Sequence, residues 1–165
     1  MPVSSITSTI RPAAAADVPR MIEVFRRSFL SAFGFTAPFA LLQQWIREER
    51  ESITYPAQWN TMFVLEHEGE LAGLMQPTVD EIDGLWVHPA FQGQGIGTRL
   101  LQHGEDVIRG RGFARSWLTV SGYNARALEF YRHRGYHTFE SVRTLHPAGI
   151  EEESFRMEKH LGATS

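Results

Sequence analysis

The 165-residue sequence contains no cysteine. This absence excludes disulfide bonds, cysteine nucleophiles and thiolate metal sites, and it fits a reducing compartment. No apolar run approaches the roughly 18 residues that a membrane-spanning helix needs, and the first ten residues lack the basic and apolar regions of a signal peptide. We therefore expect a cytoplasmic protein without a membrane partner.

The sequence also has no excess of positive charge. The chain has 16 Lys and Arg residues against 19 Asp and Glu residues, a formal net charge of −3. A nucleic-acid-binding domain needs a basic surface, so no nucleic-acid partner is expected. Hydrophobic residues make up 42% of the chain and charged residues 21%, which is typical of a folded domain with a sizeable core.

Hydrophobic periodicity predicts one mixed α/β domain over residues 4–161. The predicted strands are 6–10, 61–66, 70–76, 81–87, 116–120, 136–145 and 154–159. The predicted helices are 18–29, a second one around 41–46 with a charged face at 47–51, 95–109 and 124–133.

Glycines cluster where the predicted strand 81–87 leads into the helix 95–109. The segment reads Gln92-Gly93-Gln94-Gly95-Ile96-Gly97-Thr98. A helix N-terminus offers unpaired N–H groups and a partial positive charge, and glycine lets a phosphate approach the backbone closely. The pattern favours a pyrophosphate site, although a tight glycine turn without a ligand has the same spacing.

Two common phosphate-binding loops do not match this segment. A P-loop needs Lys followed by Ser or Thr after its last glycine, but Ile96 and Thr98 flank Gly97. A dinucleotide fingerprint needs glycine three residues after Gly95, where the chain has Thr98, and an acidic residue near 113–118, where it has none. Neither an NAD site nor an ATP site of these classes is expected.

Two sequence blocks together resemble the GNAT superfamily of acyl-CoA N-acyltransferases. The first is the Gln/Arg-x-x-Gly-x-Gly/Ala signature, which Gln92–Gly97 matches in full. The second is an Asn-Ala start followed by an aromatic-Tyr pair and Gly-aromatic, which the chain carries at Asn124, Ala125, Phe130, Tyr131, Gly135 and Tyr136. The order of elements agrees over nearly the whole chain.

The resemblance implies a fold and a co-substrate. The fold is a single α/β (α+β) domain with a mixed, mostly antiparallel sheet of about seven strands and about four flanking helices. Acetyl-CoA is the implied co-substrate, with no metal. The implied acyl-CoA-binding residues are Leu85, Trp86, Val87, Gln92, Gly93, Gln94, Gly95, Ile96, Gly97, Thr98 and Asn124.

Main-chain groups carry much of this implied binding. The backbone of Leu85–Val87 pairs with the pantetheine arm, and the amide of Val87 faces the thioester carbonyl. Many members of the superfamily have Arg or Lys at the positions of Gly93 and Gln94. This loop has no cationic side chain, so its backbone N–H groups are expected to contribute more of the phosphate binding. Arg126 and Arg132 are further candidates to reach the phosphates.

A general base is needed because an alkylamine of pKa near 10.4 is mostly protonated at neutral pH, and freeing it costs about 4–5 kcal/mol. The resemblance places this base at Glu81, and Asp83 is the competing candidate. Strand alternation predicts that both carboxylates share one face with Leu85 and Val87.

The resemblance assigns Tyr131 to the leaving thiolate. A tyrosine is protonated at pH 7, and it can donate a hydrogen bond to the sulfur as charge develops there. The alternative role for Tyr131 is packing in an amphipathic helix, and the alternative for Asn124 is capping of that helix.

The implied activity is transfer of acetyl to the primary amine of a small molecule or a protein. The alternative is a catalytically silent acyl-CoA-binding regulatory module on the same fold. A homodimer is compatible with either. The first interhelical loop, which in the superfamily helps to wall the acceptor site, is surrounded by Phe29, Phe33, Phe35 and Phe39, and core packing is the alternative role for at least two of them. The acidic residues Glu48, Glu49, Glu51 and 151–153 are candidates to attract a cationic amine, with a solvated charged face as the alternative.

Overall fold

The computed structural model describes residues 7–162, which contain seven strands and five α-helices. The strands are β1 (Ser8–Pro12), β2 (Phe63–His67), β3 (Glu70–Thr78), β4 (Glu81–Val87), β5 (Arg115–Ser121), β6 (His137–Leu145) and β7 (Glu151–His160). The helices are α1 (Val18–Phe33), α2 (Phe39–Glu48), α3 (Arg50–Gln58), α4 (Ile96–Gly110) and α5 (Ala125–Arg132). Residues 4–6 of the predicted domain, including Ile6 of its first strand, lie outside the described residues.

All seven strands join one sheet in the order β1-β2-β3-β4-β5-β7-β6. Every neighbouring pair is antiparallel except β4 and β5, which are parallel. The central strand β3 is buried along Leu71–Pro77 because it has layers on both sides. One core cluster packs α1 and α3 on the sheet around Met21, and the other packs α4 and α5 around Leu100. This architecture confirms the predicted fold class.

The helix count is five among the described residues, not about four. The predicted charged face at 47–51 is in fact a break between two helices, because Glu49 adopts a left-handed conformation with φ of 43°. Helix α3 then runs on through Pro56. Proline inside a helix removes a hydrogen bond and is a strong sequence signal against helix, which explains why α3 was not predicted.

Candidate active site

A cleft opens where β4 and β5 separate. The two strands pair at Glu81 and Trp117, and the N–H of Trp117 donates to the carbonyl of Asp80 at 3.1 Å. Beyond that point the strands have no further pairing, and a cavity of about 470 Å³ lies between them. Its volume is within the usual range for small-molecule sites. The cavity is walled by the C-terminal half of β4, the glycine segment, α5 and Ser121 of β5.

The backbone of Leu85 and Val87 is directed into this cleft. In an antiparallel pair, hydrogen-bonded and non-hydrogen-bonded residue pairs alternate. The N–H of His88 donates to the carbonyl of Ala72 at 2.8 Å, so His88 and Ala72 form a hydrogen-bonded pair. By alternation, Val87 and Leu85 of β4 form no backbone hydrogen bonds with the residues opposite them on β3, Gly73 and Met75. Their N–H groups therefore face the gap that β5 leaves. The Val87 carbonyl already accepts from the hydroxyl of Ser28 at 2.6 Å.

Trp86 contributes in a different way from its neighbours. Its position in the alternation turns its backbone groups toward Leu74 of β3, so they do not face the cleft. Its indole packs edge-on against Phe25 of α1, with ring centroids 4.9 Å apart. Trp86 thus lines the cleft, and its indole packs with the core cluster on the α1 side of the sheet.

The glycine segment forms the N-terminus of α4 as predicted. Gly93 and Gly95 both have φ of +78°, and no atom lies within 4 Å of the position a Cβ would take at either residue. The first helical bond is donated by Arg99 to the carbonyl of Gly95, which leaves the preceding N–H groups of Ile96–Thr98 without helical partners. These groups and the helix dipole make a ready site for a phosphate.

The remaining residues of the segment have distinct roles. Gln92 directs its side chain to the Val87 carbonyl at 3.3 Å, and Ile96 is a buried core residue. A Cβ at Gly97 would lie 3.2 Å from the ring of Phe130, so the glycine lets α4 and α5 approach closely. The hydroxyl of Thr98 accepts from the Arg134 guanidinium at 2.6 Å. Gln94 is exposed and lies outside the cavity wall.

The cations that the loop lacks come from α5 and the residues after it. Arg126 lines the cleft and donates to Oε1 of Gln92 at 2.9 Å. Arg134, which the sequence did not single out, stacks on the Phe130 ring at 3.7 Å from the centroid and also lines the cleft. Arg132, the other candidate, is exposed and pairs with Glu129. Two guanidinium groups therefore stand beside the helix N-terminus.

Gly95→Ala is expected to raise the Kd for coenzyme A by at least about tenfold, because hydrogen bonds to a charged group contribute about 1.5–3 kcal/mol. The added Cβ enters the space in front of the α4 N-terminus, and φ of +78° disfavours any side chain. Gly112→Ala is the matched control, since Gly112 also has positive φ and an open Cβ position but lies beyond the other end of α4. Calorimetry that gives equal Kd values for both variants would contradict a phosphate site at Gly95.

Tyr131 lies in the wall of the cleft on α5. The residue is 8% exposed, and its hydroxyl has no hydrogen-bond partner among residues 7–162. Burial raises the pKa of the phenol above its ordinary value, against a smaller opposing effect of Arg134. The group is therefore protonated over the working pH range and can donate one hydrogen bond into the cleft.

Asn124 is the N-cap of α5. Its side-chain oxygen accepts from the N–H of Ala127 at 3.2 Å, as a capping residue does. The residue also lines the cleft. The structure thus shows the capping role, and contact with the pantetheine arm stays a prediction.

The two candidate bases do not share a face, contrary to the prediction. Gln76 pairs with Gly84 and the next residue, Pro77, pairs with Ile82, so Asp83 is an extra residue in a β-bulge. Ile82 therefore packs in the same core cluster as Leu85 and Val87, and Glu81 faces the opposite side. Because the bulge inserts one residue into the strand, the alternation of side chains between the two faces is shifted on one side of the bulge relative to the other.

The bulge also changes what each carboxylate meets. Asp83 is exposed and lines the cleft. Glu81 lies at the foot of the cleft, opposite Trp117 and outside the cavity wall. Burial raises the pKa of Glu81, with a further rise from Asp83 and a lowering by Arg156. Within residues 7–162, no group of three or more His, Asp or Glu side chains is arranged to hold a metal ion.

Fold and cleft together define an α/β protein that can hold a long, phosphate-bearing ligand between two diverging strands. The acetyltransferase (GNAT) family matches residues 18–136, and the chain belongs to this family. N-acetyltransferases of the family use acetyl-CoA, which confirms the predicted co-substrate class. Among residues 7–162, no helix is both long and apolar enough to cross a membrane.

Individual relatives agree with this membership. An uncharacterized N-acetyltransferase from the pepI 3′ region of Lactobacillus delbrueckii subsp. lactis is 28% identical over 141 residues, 74% of this chain and 80% of that protein. The [ribosomal protein bS18]-alanine N-acetyltransferase of Escherichia coli (strain K12) is 34% identical over 89 residues, 52% of this chain. That match spans only 60% of the relative's length.

Solved structures show the same fold. A GCN5-related N-acetyltransferase from Rhodopseudomonas palustris superposes with a TM-score of 0.81 at 22% identity, over 93% of this chain and 96% of that one. The PaiA N-acetyltransferase from Thermoplasma acidophilum, solved in complex with coenzyme A, gives a TM-score of 0.72 at 20% identity, over 93% and 99% of the two chains.

Proposed function

We propose that this protein transfers the acetyl group of acetyl-CoA to the primary amine of an acceptor by direct attack on the thioester. The observation that carries the proposal is that one cleft contains both the inward-facing N–H of Val87 and the hydroxyl of Tyr131, which has no hydrogen-bond partner among residues 7–162. The open Cβ positions at Gly93 and Gly95, with Arg126 and Arg134 nearby, fit the phosphates of the co-substrate.

The proposed reaction needs three protein groups. When bound, acetyl-CoA supplies the acetyl group: the amine nitrogen bonds to the thioester carbonyl carbon, the C–S bond breaks, and an N-acetyl amide and coenzyme A result. The N–H of Val87 donates to the carbonyl oxygen as negative charge develops on it. Tyr131 donates a hydrogen bond to the departing sulfur. Glu81, at the foot of the cleft where β4 and β5 last pair, accepts the proton that the amine loses, directly or through water, and its raised pKa makes it a stronger base.

The family leaves the acceptor open, and two amine classes are proposed for it: a small molecule or a protein N-terminus. The bS18-alanine N-acetyltransferase, by its name, acts on a protein alanine. A cytoplasmic location is consistent with the absence of cysteine. The domain bounds 4–161, the cytoplasmic location and a homodimer stay predictions.

Two measurements test the proposal. Calorimetry is expected to show binding of coenzyme A and no binding of NAD or ATP at the same concentration. A thiol reagent is expected to report coenzyme A release when acetyl-CoA is mixed with a panel of amines; because the chain has no cysteine, the protein itself contributes no thiol signal. Binding of coenzyme A with no thiol release for any amine would instead identify the silent acyl-CoA-binding module.

A further inference from the structure

A second cavity of about 490 Å³ lies on the α1 side of the sheet. Five aromatic rings line it: Phe25, Phe29, Phe33, Trp45 and Trp86. They contact one another mainly edge to face, as Trp45 does with Phe29 at 5.8 Å and with Phe33 at 5.3 Å. Leu30 and Ile46, each about half exposed, add apolar surface to the lining. A cavity of this composition suits an aromatic or branched apolar body.

The second cavity adjoins the acyl-CoA cleft. Phe33 and Trp86 line both cavities. Glu152 of β7 lines the second cavity and accepts a hydrogen bond from the hydroxyl of Ser121, which lines the first. A molecule bound among the aromatic rings would therefore have its inner end next to the cleft.

Glu152 differs from the other carboxylates of this cavity. Arg50 lies 2.8 Å from Glu48, and Arg26 lies 2.8 Å from Glu51 and 3.7 Å from Glu49. Glu152 has no Arg or Lys within 4 Å among residues 7–162. Its side chain is only 12% exposed, and its contacts are the Ser121 hydroxyl and Nε2 of His146 at 3.0 Å.

A carboxylate held in this way attracts a cation strongly. A desolvated charge gains most from an opposite charge that also hydrogen-bonds to it, and nearby aromatic faces add a cation–π contribution. The Glu152 carboxylate also repels an acceptor that carries a carboxylate of its own, because like charges at close range cost several kcal/mol. The apolar lining also disfavours an acceptor that carries a second ammonium group far from the first.

We infer that the second cavity is the acceptor site and that its substrate class is a primary amine with an aromatic or apolar body and no carboxylate. Glu152 binds the ammonium end and guides it toward the cleft. This inference rests on the proposed acetyltransferase function and specifies its acceptor.

The experiment compares matched amines by coenzyme A release at pH 7. Phenethylamine is expected to give kcat/KM at least about tenfold above phenylalanine and spermidine, and above a peptide with N-terminal alanine. The α-amine of the peptide, of pKa near 8, is less protonated than an alkylamine, so intrinsic reactivity favours the peptide and opposes the expected order. Equal or faster turnover of phenylalanine, spermidine or the peptide overturns the inference and leaves the proposed function standing. No release with any amine, despite coenzyme A binding, refutes the proposed function.

Charge variants on β7 test the role of Glu152. Glu152→Gln can still accept from Ser121 but lacks the charge, so we expect KM for phenethylamine to rise about tenfold. The preference for phenethylamine over phenylalanine should narrow, while the Kd for coenzyme A is unchanged. Glu153→Gln is the matched control: Glu153 is exposed, contacts Ser141 and lies outside both cavities. An unchanged preference in Glu152→Gln, with the variant folded, overturns the assignment.

Discussion

Tyr131→Phe is expected to lower kcat by about 10–150-fold, the equivalent of the about 1.5–3 kcal/mol of a hydrogen bond to a charged group. The substitution removes one hydroxyl that has no partner among residues 7–162 and leaves the ring in its contacts with Phe130 and Tyr136. No intramolecular hydrogen bond is broken, so the thermal midpoint and the Kd for coenzyme A should change little. The loss should appear in the chemical step, measured by single-turnover coenzyme A release.

The raised pKa of Tyr131 indicates whether the residue donates a hydrogen bond or transfers its proton. Burial raises the pKa above that of a free phenol, so full proton transfer to a thiolate of pKa near 8.5 is more uphill than for an exposed tyrosine. We therefore expect hydrogen bonding rather than complete transfer, and no alkaline loss of activity from Tyr131 in the normal range. Tyr123→Phe is the control, because Tyr123 is not among the residues that line the cleft and its hydroxyl donates to the carbonyl of Glu151. Full activity of Tyr131→Phe at all pH values would make Tyr131 a packing residue.

Local sequence signals predicted the elements that hold the co-substrate. The glycines at 93, 95 and 97 each have a local reason that a sequence can show: positive φ at the first two and close helix contact at the third. Asn124 precedes a helix with the spacing of a cap, and the structure has that cap. Features set by neighbours along the chain are accessible from sequence because the physics that dictates them is local.

Features set by distant contacts were not predicted. The bulge at Asp83 depends on how β4 pairs with Gln76 and Pro77 of β3, and nothing in the residues 81–87 alone indicates an extra residue. Arg134 reaches the cleft because α5 packs on α4, where Thr98 fixes the guanidinium. The ring of aromatic side chains in the second cavity combines α1, α2 and β4. Tertiary packing, not local propensity, decides each of these.

Glu81→Gln is expected to lower kcat/KM for a strongly basic amine at pH 7 by about 10²–10⁴-fold, the usual contribution of a positioned general base. The loss should shrink as pH rises, because free amine then becomes available without help. In the native enzyme, activity through Glu81 requires its ionised form and falls as pH drops through its raised pKa.

Asp83→Asn is the matched variant. It removes a charge that raises the pKa of Glu81, so we expect the acidic limb of the pH profile to move to lower pH with modest loss at pH 7.

Stability should change in the opposite direction to activity in Glu81→Gln. A carboxyl group whose pKa is raised by folding is more easily protonated in the folded than in the unfolded state. Its ionised form therefore costs the native state free energy as pH rises above the ordinary value of about 4.5. Glu81→Gln removes that cost, so the thermal midpoint should rise at pH 7 and change less at pH 4. If Asp83→Asn instead abolishes activity while Glu81→Gln keeps it, the base is Asp83, which lines the cleft directly.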